Sequence, residues 1–91
     1  MKSTIVIPNY NGIEYLEKCI LSIREDTKSH PTRILVIDNG SGDGSCELAE
    51  GYAGVEVIRM GENRGFCEAV NVGIRAAKTP YVILLNNDLT V

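Results

Sequence analysis

Apolar positions along this chain follow two alternating patterns, short unbroken runs and longer stretches in which they recur every three or four residues. Thr4-Ile5-Val6-Ile7 is β-branched throughout and is closed by Pro8 and the turn-rich Asn9-Tyr10-Asn11-Gly12, which predicts a first strand and a loop. Ile13, Leu16, Cys19, Ile20 and Ile23 then recur at helical spacing with Glu14, Glu17, Lys18 and Arg24 between them, so a helix is predicted to about Glu25. The stretch from Thr27 to Thr32, with His30-Pro31, ends it. Ile34-Leu35-Val36-Ile37 does not alternate, which predicts a second strand buried on both faces inside a parallel sheet. Asn39-Gly40-Ser41-Gly42-Asp43-Gly44 is unsuited to regular structure, and Ser45 or a polar neighbour can cap a short helix carrying Cys46, Leu48, Ala49 and Tyr52. Val55 to Met60 alternates in part, as a strand near a sheet edge does.

After Gly61-Glu62-Asn63-Arg64-Gly65, the residues Phe66, Ala69, Val70, Gly73, Ile74 and Ala77 form the cleanest helical stripe of the chain, and Thr79-Pro80 terminates it. A last apolar run, Tyr81-Val82-Ile83-Leu84-Leu85, leads into Asn86-Asn87-Asp88. The order is therefore β-α-β-α-β-α-β, and right-handed crossovers make it a three-layer, Rossmann-like α/β fold with a parallel sheet of order 3-2-1-4. The 91 residues suffice for one small domain and not for two.

Composition narrows the classes of function. A net charge of −3, with Lys and Arg scattered rather than striped, gives little support for nucleic-acid binding. No apolar run approaches the roughly 20 residues that span a bilayer. The first strand begins within a few residues of Met1, with no signal-peptide pattern, so the expected location is cytoplasmic. Cys19, Cys46 and Cys67 are odd in number and far apart, with only His30 as an imidazole partner, which argues against zinc and against a disulfide framework. Each lies in a helical stretch, where a free Cys behaves as a small buried hydrophobe.

In parallel α/β sheets, ligands collect at the carboxyl ends of the strands, and Pro8 to Gly12, Asp38 to Ser45 and Asn86 to Asp88 all fall on that rim. Asp38-Asn39 can hydrogen-bond a pyrimidine base or a ribose, although taken alone this loop reads more simply as a turn. Arg64 can reach a diphosphate or serve as a solvated loop charge, and Asn71 can bond nearby backbone. Asp88, just past a buried strand, is a candidate metal ligand. One carboxylate suffices for Mg²⁺ when substrate phosphates and water complete its shell. Several other motifs are absent. Gly40-x-Gly42 lacks the third glycine of a dinucleotide fingerprint and follows the wrong strand, there is no G-x-x-x-x-G-K-[ST], and the Asp38 loop has glycines at oxygen-bearing positions of a calcium loop.

Four blocks in order, Ile5 to Gly12, Val36 to Gly44, Glu62 to Phe66 with Asn71, and Leu84 to Asp88, resemble the successive motifs of family 2 glycosyltransferases across essentially the whole chain. The resemblance implies a partial GT-A fold, a nucleoside-diphosphate sugar donor, UDP- or dTDP-linked, and a divalent cation, Mg²⁺ or Mn²⁺. It implies that Pro8 and Tyr10 line the base and ribose pocket and that Asp38 and Asn39 contact pyrimidine and sugar. The implied donor site also includes Asn9, Asn11, Asn63, Arg64, Gly65, Asn71, Asn86 and Asn87, with Asp88 on the metal. The chain departs from the commoner pattern at Asn39 and Asn86, each replacing an aspartate, and at Val70, where many relatives have arginine. These asparagines resemble a rhamnosyltransferase-like branch.

The implied chemistry is inverting transfer to a glycan, lipid or protein acceptor. The general base is expected beyond residue 91, so the isolated chain is expected to be an inactive donor-binding portion, in a full-length protein peripheral to the inner face of a membrane. A homo-oligomer formed through an uncovered fourth strand is a further expectation. A non-enzymatic nucleotide-binding or interaction module is the rival reading. A sugar nucleotidyltransferase is disfavoured because Pro8 to Gly12 contains no basic residue.

Overall fold

The computed structural model describes residues 3–28 and 31–86. Four strands and three helices alternate as β1 (Ser3–Asn9), α1 (Ile13–Asp26), β2 (Arg33–Asp38), α2 (Ser45–Glu50), β3 (Val55–Arg59), α3 (Phe66–Ala77) and β4 (Tyr81–Leu84). All pairings are parallel, in the order β3-β2-β1-β4, with Val6 opposite Leu35 and Leu84 and Ile37 opposite Ile58. The expected sheet is thus the observed one. β1 and β2 are central and buried along nearly their whole length, as their unbroken apolar runs require.

Side chains of consecutive strand residues point to opposite faces, which divides the core in two. On one face Ile5, Ile7, Ile34 and Val36 pack with Leu16, Ile20 and Ile23 of α1 and Ala49 of α2. Burying a side chain of the size of Leu16 or Ile20 contributes about 1.5–3 kcal/mol. On the other face Val6, Leu35 and Ile37 meet Ala69 of α3. The stripe read from the sequence is corrected here, because α3 buries only Ala69, Gly73 and Ala77, while Phe66 and Ile74 are exposed. Small residues let this helix lie close against the sheet: a Cβ at Gly73 would overlap Val6 Cγ1 and stand 3.2 Å from Ile37 Cγ1.

Arg33 closes the far end of α3, donating from Nη1 to the carbonyls of Ala76 at 2.7 Å and Ala77 at 2.8 Å, while its Nε bonds Glu56 on β3. These carbonyls have no partner within the helix, and a cation beside them also complements the helix dipole. The cysteines depart from expectation at one position: Cys46 is buried and Cys19 half-buried, but Cys67, on the first turn of α3, is exposed. β4 is one residue shorter than expected and pairs with β1 alone among the described strands. Its residues are 38–66% exposed. No described helix is long and apolar enough to cross a membrane.

Candidate functional site

The carboxyl ends of β1 and β2 are joined by one buried cluster. Asn9 and Asp38 are register partners, so their side chains meet, and Asn9 Nδ2 donates to Asp38 Oδ1 at 2.9 Å. Ser41 folds back over the same carboxylate, its backbone N–H donating to Oδ2 at 2.8 Å and its hydroxyl to Oδ1 at 2.7 Å. Asp38 and Asn9 are each 2% exposed. Burial alone would raise the Asp38 pKa. The hydrogen bonds from the Ser41 hydroxyl, Asn9, the Ser41 backbone and the Cys46 thiol outweigh it and hold the pKa below the usual carboxylate value. The same burial, with Asp38 beside it, pushes the Cys46 thiol up to about 12.

The next contacts bind the two loops to each other. Asn11, at φ +50°, donates its N–H to Ser41 Oγ at 2.8 Å and accepts from Gly42 N at 2.8 Å. Of the expected caps for α2, Ser45 or a polar neighbour, it is the neighbour Asp43 that serves: it accepts from Ile13 N at 3.1 Å and from Ser45 N at 3.0 Å, and the Ser45 hydroxyl also donates to it. One carboxylate therefore satisfies amides at the starts of both α1 and α2. The β3–α3 loop is attached in turn, since Asn39 Nδ2 donates to the Gly65 carbonyl at 3.3 Å and Asn39 Oδ1 accepts from Arg64 N at 3.2 Å.

Above this framework lies a cleft of about 390 Å³. The backbone segment from Pro8 to Gly12 forms one wall, with the rings of Tyr10, Tyr15 and Phe66 and the amides of Asn9, Asn11, Asn39, Asn63 and Asn86 around it. Tyr10 is 52% and Phe66 49% exposed, so flat apolar rings face solvent where a ligand can cover them. Aromatic surface ringed by amides suits a planar polar heterocycle, which can stack and hydrogen-bond at its edge.

Of the residues proposed from the sequence, the cleft gathers Pro8, Asn9, Tyr10, Asn11, Asn39, Asn63 and Asn86. Asp38 lies beneath it, and Gly65 contributes backbone to the adjoining loop. Arg64 stands beside that loop with its Nε 3.4 Å from Glu62. Asn71 is exposed on α3 and is not among the cleft residues. Asn87 and Asp88 lie outside the described residues. Sequence reading missed Tyr15, whose place on the first turn of α1 was the available signal, and it read Phe66 as part of the apolar stripe of α3 without naming it for the donor site.

Among the described residues, no group of three or more His, Cys, Asp or Glu could hold a metal ion. Asp38 and Asp43, the carboxylates of the β2–α2 loop, are engaged by donors of the chain itself. The described residues thus do not form a cation site on their own, and the expected Mg²⁺ or Mn²⁺ rests on Asp88.

The sequence model described as Glycosyl transferase family 2 matches residues 4–91. The uncharacterized glycosyltransferase YfnE of Bacillus subtilis is 33% identical over 92 residues, covering 98% of this chain and 24% of that protein. The glycosyltransferase AglJ of Haloferax volcanii is 38% identical over 88 residues, covering 94% and 27%. Among solved structures, TarS 1-349 of S. aureus in complex with UDP-GlcNAc superposes with a TM-score of 0.87 at 24% identity, covering 97% of this chain and 27% of that one. The mannosyltransferase PcManGT from Pyrobaculum calidifontis, in complex with GDP-Man and Mn²⁺, superposes with a TM-score of 0.86 at 24% identity, covering 96% and 27%. The chain spans about a quarter of the length of these proteins.

Proposed function

Because this chain belongs to glycosyl transferase family 2 and has the GT-A fold, we propose that its cleft binds the nucleotide of a UDP- or dTDP-linked sugar donor. The observation that carries this reading is the cleft itself, in which exposed rings of Tyr10 and Phe66 and several amides meet at the carboxyl ends of parallel strands. The base stacks on the rings, and amides bond its edge. Arg64, in the loop that leads into α3, supplies positive charge for the diphosphate, next to helix amides that no side chain caps. The solved neighbours carrying UDP-GlcNAc or GDP-Man support a nucleoside-diphosphate sugar as the donor.

The proposed reaction is inverting transfer by the whole protein. An acceptor hydroxyl attacks the anomeric carbon on the face opposite the diphosphate, forming the new C–O bond as the bond to the phosphate oxygen breaks. The diphosphate departs with the electron pair, and a general base outside these 91 residues takes the hydroxyl proton. The chain contributes by holding the donor in one orientation, which lowers the barrier by positioning. A divalent cation held by Asp88 and the diphosphate would neutralise charge on the leaving group.

Calorimetric titration with UDP and with dTDP tests this reading. Binding is expected to be weak, to strengthen with Mn²⁺ or Mg²⁺, and to lose the metal-dependent increment in Asp88→Ala. Absence of nucleotide binding by folded protein would remove the donor assignment, and equal affinity in EDTA and in metal would remove the Asp88 assignment. The exposed apolar edge of β4 also supports self-association of the isolated chain. Light scattering at high protein concentration should show a dimer or larger species, and a strictly monomeric mass would contradict it.

A further inference from the structure

We infer that Ser41 is a positioning residue of the donor site: its hydroxyl fastens the β1–α1 loop on both sides of Tyr10 and thereby turns that ring toward the nucleotide cleft. The inference rests on the donor-binding reading above. Ser41 is not among the cleft residues, whereas Tyr10 is. At 52% exposure the Tyr10 ring has little packing to fix it, so its direction follows the backbone on either side. Both residues flanking Tyr10 donate to Ser41 Oγ, Asn9 from Nδ2 at 3.3 Å and Asn11 from its backbone N–H at 2.8 Å. The same hydroxyl donates its own proton to Asp38 Oδ1 at 2.7 Å. A hydroxyl has one proton and two lone pairs, and here all of them are engaged.

These bonds hold a backbone turn that the chain would not keep unaided. Asn11 stands at φ +50°, in the left-handed region that residues with a Cβ rarely adopt, although Asn tolerates it better than most. Such a conformation persists only where surrounding contacts fix it. The bonds from Asn11 N to Ser41 Oγ and from Gly42 N to Asn11 Oδ1, each 2.8 Å, do so, and the bond from Ile13 N to Asp43 Oδ2 secures the loop where α1 begins. Successive residues of the β2–α2 loop, Ser41 to Asp43, therefore serve as a template for the loop that carries Tyr10. Removing the Ser41 hydroxyl would release Asn11 N while Asp38 kept its bonds from Asn9 Nδ2 and Ser41 N, and Gly42 N kept its bond to Asn11.

Ser41→Ala and Ser41→Thr separate positioning from general support of the fold, because threonine keeps the hydroxyl. Without it the loop holds the binding turn only part of the time, and apparent affinity falls by that fraction. Ser41→Ala is expected to bind UDP about tenfold more weakly than wild type, the scale of one hydrogen bond, and Ser41→Thr to stay within about threefold of wild type. Following the titrations by amide NMR spectra ensures that the protein observed is folded, so that lost affinity is not lost fold. Before nucleotide is added, wild type and Ser41→Thr should show slow exchange of the Asn11 amide and the strong intraresidue HN–Hα cross-peak of a left-handed residue, and Ser41→Ala should show neither. Folded Ser41→Ala with wild-type affinity overturns the inference, as does Ser41→Thr that binds no better than Ser41→Ala while its Asn11 amide stays protected. If neither variant folds, the wild-type Asn11 amide decides: slow exchange supports the brace and rapid exchange overturns it. Failure of wild type to bind UDP, with Asn11 protected, would overturn the donor reading and leave the loop brace standing.

Discussion

Asp38→Ala should lower stability by about 3–5 kcal/mol, the cost of leaving a buried charged group's partners without it. Asn9 Nδ2, the Ser41 N–H and the Ser41 hydroxyl all point at this carboxylate, and the site is closed to solvent. A domain of this size has roughly 5–14 kcal/mol in total, so the variant would be close to unfolded at ambient temperature. Asp38→Asn should cost less but still be clearly destabilising, because its amide turns a donor toward donors. The pH dependence has a definite sign. The folded pKa of Asp38 is depressed, and so is that of Asp43, where burial opposes and the bonds from Ser45 and Ile13 prevail. Their contributions are present above the unfolded carboxylate range and are lost as pH falls through the lower folded values. Urea midpoints measured from neutral pH downward should therefore hold and then drop below about pH 4, and Asp38→Ala should flatten that drop. A midpoint for Asp38→Ala near that of wild type would show that the cluster does not brace the loops.

Gly73→Ala is the second large effect, and its sign is opposite to helix propensity. Alanine in a helix interior is ordinarily favoured over glycine by about 1 kcal/mol. Here the added Cβ would overlap Val6 Cγ1 in a fully buried central strand and press on Ile37. Both neighbours are β-branched with little freedom to turn aside, so overpacking of about 1–3 kcal/mol should override the propensity and leave a net loss of up to about 2 kcal/mol. Val6→Ala removes the opposing methyls, and the double variant should then be more stable than the sum of the single losses allows. Additive losses in that cycle would mean that α3 moves away from the sheet without hindrance.

The legible and illegible parts of this protein divide along physical lines. Ile5-Val6-Ile7 and Leu35-Val36-Ile37 announced buried parallel strands because unbroken apolar runs have no exposed face. In α3 the apolar stripe was wider than the surface it covers, and periodicity does not tell which flank meets the sheet. Phe66 thus counted with the apolar stripe of the helix, when it lines the cleft. The loop residues Pro8 to Asn11, Asn39 and Asn86 were legible because strand order puts their loops on one rim, and Asn63 was legible only through the resemblance to the family's motifs. The inward brace made by Asp38 was not, since its partner Asn9 lies 29 positions away and only the parallel register brings them together. The same holds for Asn39, whose amide meets a loop 25 residues downstream.

The central claim is that the cleft bounded by Tyr10, Asn11, Asn63 and Phe66 is where this chain holds its nucleotide. An amide-resolved NMR titration of the isotope-labelled protein with UDP in the presence of Mn²⁺-free Mg²⁺ tests it most directly. The account predicts progressive, saturable shifts concentrated at residues 9–12 and 63–67, with the β3 edge and the outer face of α1 unchanged. Shifts centred on those latter surfaces, or none at millimolar nucleotide in protein that remains folded, would contradict it.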